Sequence, residues 1–451
     1  MPAQEPIAEP PFTASDNRIG KAAAAVKQMA LEYLARAREH QAAFMFTGAS
    51  ALVSVGSMFS SMIMVRYVSP EDLGLWQSVR LAVTYSMFVL AGVNNGLSRD
   101  LPYYLGKSDE KTASRLAGTT LFYVLGASLL VLLAGAGSLM LFHDRGSKLL
   151  FAIATVTVLI ILTFYTNYLI VTFRSSKSFK DFSKIKMLEA LVTVGTIPLL
   201  YYLGYHGMLA RVLVLSGLVL FFMHLFRPIR VAPAWDGKAF VLLLKTGMPI
   251  FILDYLSTTA GTCDRLVLLK LGGVKLVGYY AVALMARDAI GIIPGALSEY
   301  IYPRMSHSYG EHHDPIRLWK MAVKSSLMVV AFMTPAVVAG WFLLPPVVSK
   351  LFPKYTEAVT AAQWILIGSV FGGATLGRMA IWSMKDWKMA TWYQGLGVGF
   401  GVAGIVLGGY FGKTPLIGVA VGSLIAQIAW LPVGGYLVYL ATHRRASPIG
   451  K

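Results

Sequence analysis

Several ionisable residues stand inside long apolar runs of this sequence, at positions where a charged side chain is costly. They are Arg80, Asp254, Arg287, Asp288 and Arg378. Charged residues in such runs usually face the interior of a helix bundle or a water-filled cavity. An arginine guanidinium donates two parallel hydrogen bonds to one phosphate or carboxylate group. The arginines therefore indicate a site that holds an anion inside the protein.

Arg287 and Asp254 lie near the middle of two neighbouring apolar runs. If these runs are antiparallel helices, the two side chains reach a similar depth. Two interpretations follow: a buried structural ion pair, or a site in which Arg287 binds an anionic group that Asp254 holds or releases. Asp254 could instead carry a coupling proton, because burial favours the protonated form of a carboxyl group. Asp288 projects roughly 100° around the helix from Arg287, so we expect it to stabilise a different neighbour.

Other polar residues lie nearer to the ends of their runs or offer neutral hydrogen bonds. Arg80 is about 8 Å inside its run, so its side chain could reach the outer headgroups or face a cavity. Arg378 is near the inner end of its run, where the sequence favours contact with the headgroups. Asn94, Asn95 and Gln427 could bind sugar hydroxyls, or they could simply bond a neighbouring helix.

Two other motifs are weak signs of chemistry. The segment Glu311–Asp314 reads Glu-His-His-Asp, but adjacent residues cannot all point at one ion, so no metal site is predicted. Glycines alternate from Gly395 to Gly401 without the preceding strand of a dinucleotide site, and the sequence contains no P-loop. Cys263 is the single cysteine, which excludes a disulfide framework. We therefore predict no cofactor and no catalytic residue.

The elements that must position these residues are long apolar helices. Of the 451 residues, 56% are hydrophobic and 14% are charged, and apolar runs of roughly 18 residues or more recur along the chain. This pattern predicts an all-α polytopic membrane protein, since a transmembrane barrel would show alternating segments of about ten residues. About twelve spans are predicted, near residues 42–65, 75–97, 116–142, 148–173, 187–205, 208–226, 240–263, 276–298, 317–345, 358–384, 390–411 and 413–442.

The predicted spans form two parallel six-helix repeats. The segment Arg66–Ser78 returns 204 positions later as Lys270–Val282, where Gly74 matches Gly278, and the starts of the spans recur with a similar offset. Because six is even, both repeats start from the same side of the membrane, so we expect two lobes around a central cleft. The predicted divisions are a disordered tail and basic amphipathic helix at 1–41, an N-terminal lobe at 42–226, a linker at 227–239, a C-terminal lobe at 240–442 and a cytoplasmic tail at 443–451.

The formal net charge of +18 lies mainly in short loops between the predicted spans. Lys and Arg are more frequent on the side that holds both termini, and the positive-inside rule assigns that side to the cytoplasm. The segment at Arg66 then faces outward. This distribution explains the basic character of the chain through membrane topology, so we expect no nucleic-acid partner.

Short motifs at equivalent places in the two repeats resemble those of a known superfamily. The motifs are Arg66-Tyr67, Pro70-Glu-Asp-x-Gly74-Leu-Trp76, Gly247-Met-Pro249, Asp264-Arg265, Gly278-Tyr-Tyr280 and Tyr302-Pro303. With the twelve spans, they resemble the multidrug/oligosaccharidyl-lipid/polysaccharide exporter superfamily, and within it the polysaccharide-transporter branch of lipid-linked oligosaccharide flippases. The resemblance implies a V-shaped, two-lobed transporter that works by alternating access and is not an enzyme. It implies that the motif residues are structural.

The resemblance also implies a substrate class. The expected function is translocation of undecaprenyl-diphosphate-linked oligosaccharide across the cytoplasmic (inner) membrane for surface polysaccharide biosynthesis. Arg287 would then bind the diphosphate, with the lipid tail in the bilayer. A polysaccharide polymerase and glycosyltransferases are possible partners, and the coupling ion, proton or sodium, stays open. The alternatives are a cation-coupled multidrug antiporter, which should have an acidic cleft, and a non-transporting membrane scaffold, which should tolerate loss of Arg287 and Asp254.

Overall fold

The computed structural model describes residues 45, 48–49, 52–176 and 178–446. The predicted tail and amphipathic helix at 1–41 therefore lie outside the described residues, as do residues 447–451. The helices within the described part are α1 (Leu52–Tyr67), α2 (Pro70–Ser86), α3 (Val93–Gly106), α4 (Glu110–Leu141), α5 (Ser147–Ser175), α6 (Phe179–Gly195), α7 (Ile197–Leu225), α8 (Gly237–His312), α9 (Pro315–Leu351), α10 (Val359–Gly373), α11 (Arg378–Ser383), α12 (Trp387–Phe411) and α13 (Pro415–Ala446). No strand occurs among these described residues.

The helices have the length and composition of membrane spans. Eight of the described helical segments are long and apolar enough to cross a bilayer, and their outer faces carry large exposed apolar side chains such as Leu130, Leu133 and Phe332. In water such surfaces would be costly, whereas lipid covers them without penalty. The prediction of an all-α, multi-pass membrane protein is confirmed, and the count of twelve spans stays a prediction.

Two of the long helices reverse direction at a glycine. Gly204 in α7 has φ +51° and Gly273 in α8 has φ +68°, which glycine adopts at little cost. In α8, the side chains of Asp264 and Arg287 come within 3.5 Å, although a straight helix would separate them by about 35 Å. We call Gly237–Gly272 the first arm of α8 and residues 274–312 the second arm. The two arms of α8 thus correspond to the predicted spans 240–263 and 276–298, whereas the predicted span 187–205 is divided between α6 and the start of α7.

The second predicted span, 75–97, differs from the structure in two ways. It begins earlier, at Pro70, because the hydroxyl of Ser69 caps α2 by accepting a hydrogen bond from the amide of Asp72 at 3.1 Å. It is also interrupted: a short 3₁₀ turn follows α2, and Ala91 and Gly92 have φ +46° and +77° before α3 starts. Polar residues at the start of α3 therefore sit at a break in the backbone.

The two repeats meet in a reciprocal backbone contact. A Cβ on Gly74 would stand 1.8 Å from the carbonyl oxygen of Val274, and one on Gly278 would stand 1.7 Å from that of Pro70. Since 70 and 274 differ by 204, as do 74 and 278, each repeat offers the same two positions to the other. We call this contact the crossing. It places the second arm of α8 directly on α2.

Buried apolar residues show how the two halves are joined. A core at the crossing unites both halves and includes Leu73, Val277 and Tyr355. There the hydroxyl of Tyr355, from the C-terminal half, donates to the carbonyl oxygen of Val68 at 3.0 Å. The other cores are separate, one mainly from α3–α6 and the other from the second arm of α8 with α9–α13. The halves thus meet at the crossing, and they touch again where a Cβ on Gly247 of α8 would stand 2.0 Å from the carbonyl oxygen of Gly92.

The segment between α7 and α8 is extended and lies against the N-terminal half. The amide of Ala234 donates to the carbonyl oxygen of Gly118 at 3.2 Å, and Arg115 pairs with Asp236 at 3.2 Å. Asp236 also caps α8 by accepting from the amides of Lys238 and Ala239. These contacts fix the entry into α8 and hence the depth of its charged residues.

Candidate functional site

Asp264 is the centre of an interior charge network. It is 4% exposed, and its carboxylate accepts a hydrogen bond from the hydroxyl of Tyr280 at 3.0 Å. The guanidinium of Arg287 lies 3.5 Å from one carboxylate oxygen, and Nε of Arg265 lies 3.6 Å from the other. A buried carboxylate needs such partners to offset its lost hydration.

The expected pairing of Arg287 with Asp254 is wrong; its partner is Asp264. Depth counted from the reversal at Gly273 does not distinguish the two carboxylates. Asp254 lies 19 residues before the reversal, Asp264 nine before it and Arg287 14 after it, so each carboxylate differs in depth from Arg287 by about 7.5 Å at 1.5 Å per residue. The contacts distinguish them: Tyr280, seven residues beyond the reversal, donates to Asp264 beside Arg287, whereas Asp254 accepts from Asn95. The sequence contains Gly272-Gly273, but it does not indicate that the helix reverses there.

Arg287 also has a second acidic neighbour and is partly exposed. Its side chain is 39% exposed, and its Nε lies 3.5 Å from Asp288, whose side chain is 74% exposed. The expectation that Asp288 stabilises a residue other than Arg287 is therefore wrong, because its ion-pair contact is with Arg287 itself. Two carboxylates therefore contact the guanidinium, and the exposed part of the side chain remains accessible to a ligand.

Arg80 completes this group from the N-terminal half. It is exposed, and its electrostatic neighbours are Arg265 and Asp288. It stands six residues beyond Gly74 on α2, about 9 Å from the crossing. We call Arg80, Arg265, Arg287, Asp264 and Asp288 the arginine cluster. Three guanidiniums and two carboxylates leave this cluster with a net positive charge directly inside the closed end.

Asn95 and Asp254 form a second polar contact, separate from the arginine cluster. The amide nitrogen of Asn95 at the start of α3 donates to the carboxylate of Asp254 at 3.0 Å. Both polar atoms of the neighbouring Asn94 side chain are buried without a hydrogen-bond partner among the described residues. The structure therefore brings Asn95 and Asp254 together, at the break between α2 and α3.

A cavity of about 340 Å³ adjoins Arg287 within the C-terminal half. Arg378 lines the same cavity, so the expectation that it reaches the headgroups is not supported by its position. Its guanidinium lies 5.4 Å from the ring centroid of Trp382, and its Nε is buried without an acceptor among the described residues. Gln427 also lines the cavity, where its amide hydrogen-bonds Ser423 at 3.1 Å. We call this space the C-half cavity.

The N-terminal half contains a different cavity, of about 270 Å³. Its charged residues are Lys186 and Glu189, which form an ion pair at 2.7 Å. Thr163, Asn167 and Ser216 add neutral polar groups. Lys186, on the same helix, neutralises the carboxylate of Glu189 here, whereas the described lining of the C-half cavity includes two arginines and no acidic side chain.

The described residues contain no group of three or more metal-ligating side chains. Glu311 instead forms contacts with His307 and His312 at 3.7 and 3.5 Å, both exposed. The chemistry available at the arginine cluster and the C-half cavity is therefore binding through guanidinium, hydroxyl and amide groups. Asp264 and Tyr280 were identified in the sequence only as motif residues, and their contact with Arg287 depends on the reversal at Gly273.

Comparisons with known proteins agree with this architecture. Residues 63–360 match the family described as polysaccharide biosynthesis protein. An inward-facing multidrug resistance transporter of the MATE family in the same exporter superfamily is similar in structure, with TM-score 0.70, 15% identity, and 90% of this chain and 100% of that chain covered. The lipid II flippase MurJ, inward closed, is also similar, with TM-score 0.66, 15% identity, and coverage of 89% and 87%.

An outward-facing MATE transporter superposes less well, with TM-score 0.53, 15% identity, and coverage of 88% and 96%. No curated protein matches the sequence. At this level of identity, the structural matches establish the fold. They confirm the expected resemblance to the exporter superfamily.

Proposed function

The chain belongs to the family of polysaccharide biosynthesis proteins, and we propose that it translocates undecaprenyl-diphosphate-linked oligosaccharide across the cytoplasmic membrane for surface polysaccharide assembly. One observation carries the proposal. Asp264 holds the Arg287 guanidinium at 3.5 Å, and Arg287 also lines the C-half cavity, whose described lining contains no acidic side chain. Such a guanidinium is pre-oriented for an anion, because little side-chain freedom is lost when a phosphate binds.

The diphosphate binds Arg287 and Arg80 in this mechanism. These residues come from opposite halves, so a ligand that contacts both draws the halves together around it. The glycan occupies the polar space beside Arg287, and the lipid tail remains in the bilayer. Asn95 and Asp254 line the lower part of the cleft, where Asp254 is the candidate for the coupling ion, proton or sodium. Substrate passage follows from rocking of the two halves, with no covalent step.

The closed end is assigned to the outer face from the distribution of Lys and Arg, with both termini in the cytoplasm. The contacts of the crossing and the hydrogen bond from Tyr355 to Val68 close that end. The better superposition on an inward-facing than on an outward-facing transporter supports the same assignment. The state described here then receives substrate from the inner leaflet.

Drug antiport is the alternative within the superfamily. A carrier of cationic drugs needs a free carboxylate in its cleft. Glu189 is paired with Lys186 and Asp264 is shared by arginines, which leaves Asp254, hydrogen-bonded by Asn95, as the carboxylate that an antiporter would use. A non-transporting scaffold for a polymerase or glycosyltransferase is the third candidate. Neither alternative accounts for the arginine cluster as directly as an anionic substrate does.

Reconstitution into liposomes tests the proposal. The full-length protein is incorporated with a fluorescent undecaprenyl-diphosphate oligosaccharide, and the loss of lipid asymmetry is followed for wild type, Arg80→Ala and Arg287→Ala. Arg145→Ala, an exposed loop arginine, is the matched control. We expect protein-dependent flipping that Arg145→Ala keeps and the cleft variants lose. Flipping that survives both cleft substitutions would contradict the diphosphate site, and transport of a cationic dye instead would establish the antiporter.

A further inference from the structure

The C-half cavity has an unusual balance of charge. Among the side chains described for its lining, Arg287 and Arg378 are charged and none is acidic. The remaining polar residues are Tyr280, Ser298, Ser369, Thr375, Ser423 and Gln427. Glycines and a proline form much of the wall, which leaves space beside these hydroxyl and amide groups. The cavity therefore offers hydrogen bonds and positive charge in one place.

The two arginines of the cavity differ in how their charge is compensated. Arg287 has Asp264 and Asp288 within 3.5 Å. Arg378 has no ion pair with any described residue; its contact is with the face of Trp382. Its Nε is also buried without an acceptor among the described residues. A guanidinium inside a bundle that lacks both a counter-ion and an acceptor is costly, so an anionic ligand is the natural partner.

The volume and the polar lining of the C-half cavity favour some anions over others. A volume of about 340 Å³ corresponds to roughly eleven water volumes, enough for a sugar ring with its substituents. Hydroxyls and the amide of Gln427 match the hydroxyls of such a ring. The free Nε and a terminal nitrogen of Arg378 can donate together to one planar carboxylate. A diphosphate, in contrast, stays tethered to its lipid tail and already has Arg80 and the open side of Arg287.

We propose that the C-half cavity is a subsite for an acidic sugar of the lipid-linked glycan, whose carboxylate binds Arg378. This inference rests on the proposed function and narrows its substrate class to glycans that contain a uronate or an equivalent carboxylated residue. Arg378 then acts as a specificity-determining residue, because a neutral sugar leaves its guanidinium without a counter-ion.

Calorimetric titration of the full-length protein in nanodiscs tests this subsite without requiring transport. The probes are methyl glucuronide, its uncharged methyl ester and inorganic pyrophosphate. We expect wild type to bind the acid at least tenfold more tightly than the ester, the scale of a charge-assisted hydrogen bond. Arg378→Gln should abolish this preference and keep the affinity for pyrophosphate. Arg145→Gln should change neither.

Two results would overturn the inference. Equal binding of acid and ester by wild type would remove the carboxylate site, and an equal loss of pyrophosphate affinity in Arg378→Gln would assign the cavity to the diphosphate. If Arg378→Gln does not fold, Arg378→Lys replaces it in the titration. Lysine keeps the positive charge but lacks the two parallel N–H donors of the guanidinium, so the preference for the acid over the ester should be partly lost. In liposomes, the acidic-to-neutral ratio of flipping rates should fall tenfold in Arg378→Gln. Failure to flip either lipid would reject the proposed function, while the titration still decides the subsite.

Discussion

Asp264 and Arg287 are 23 positions apart in the sequence, yet their side chains form an ion pair at 3.5 Å because the chain reverses at Gly273. Asp264 is almost fully buried and Arg287 is partly open, so the carboxylate orients the guanidinium toward the cleft. The pair is thus both a structural contact and the support of the proposed anion site. These two roles can be separated by experiment.

Asp264→Asn should lower the free energy of unfolding by about 1–3 kcal/mol, since it leaves a charged partner without its carboxylate. Flipping should fall as well, because Arg287 loses its orientation. Thermal unfolding in detergent and the liposome assay measure the two effects. Asp144→Asn, in an exposed loop, is the control. A double variant with Arg287→Gln should recover stability but not flipping; recovery of both would make the pair purely structural.

Gly74→Ala should prevent the crossing from closing, because its new Cβ would overlap the carbonyl oxygen of Val274. The matched control is Gly126→Ala, where nothing lies within 4 Å. The readout is cross-linking of Glu71→Cys to Lys275→Cys by a short bis-maleimide, since the ends of the native side chains approach to 4.0 Å, in a Cys263→Ser background. We expect a several-fold lower yield with Gly74→Ala and no change with Gly126→Ala. An undiminished yield would mean that the crossing tolerates a side chain.

Tyr355→Phe should weaken the closed state, because it removes the buried hydrogen bond to the carbonyl oxygen of Val68. Leaving that oxygen without a donor costs about 1–3 kcal/mol. The population open at the crossing should therefore rise, which spin-label distances across α2 and the second arm of α8 would measure. Tyr201→Phe is the control, since its ring is exposed. A distance distribution identical to that of wild type would remove Tyr355 from the gate.

Asp236 gives a pH dependence outside the spans. Hydrogen bonds from the amide of Ala239, and then from Lys238, together with Arg115, hold the pKa of its carboxyl below the ordinary value. Its contribution is therefore fully present above the ordinary pKa of about 3.9 and is lost as the pH falls through the lower pKa of the folded protein. The hydrogen-exchange protection factors of the amides at residues 226–240 should fall in that acid range.

Substitutions separate the cap of Asp236 from its charge. Asp236→Asn keeps a good cap but loses the pair with Arg115 at 3.2 Å. Asp236→Ala loses both and should exchange faster than Asp236→Asn at neutral pH. Equal exchange rates in the two variants would show that the helix cap contributes nothing to the attachment of this segment.

The repeat and the membrane fold could be predicted because they depend on patterns along the chain. Matching the segment at Arg66 with that at Lys270 aligned Gly74 with Gly278, and the structure brings this pair of glycines to the crossing. Apolar runs long enough for a bilayer specified helices directly. In these respects local composition and the final structure agree.

The details of the site could not be predicted because they depend on where helices break or reverse. The interruption at Ala91 and Gly92 involves a residue, Ala91, that gives no signal of a left-handed conformation. The partner of Arg287 depends on a reversal at Gly273, and residue counting alone does not choose between Asp264 and Asp254, because each lies five residues from the depth of Arg287. The position of Arg378 beside a cavity depends on the 3₁₀ turn at Ala374–Gly377, which rotates the helix that follows.

The crossing also has a mechanical consequence. Carbonyl oxygens of one repeat touch the glycines of the other, which leaves little room for α2 to slide along the second arm of α8. The crossing would therefore be the fulcrum of the proposed rocking. With a lever arm of about 30 Å, the thickness of the hydrocarbon core, a rotation of only ~10° would displace the far ends of the helices by about 5 Å. In the proposed rocking, such an opening also has to separate α3 from the first arm of α8, where a Cβ on Gly247 would stand 2.0 Å from the carbonyl oxygen of Gly92.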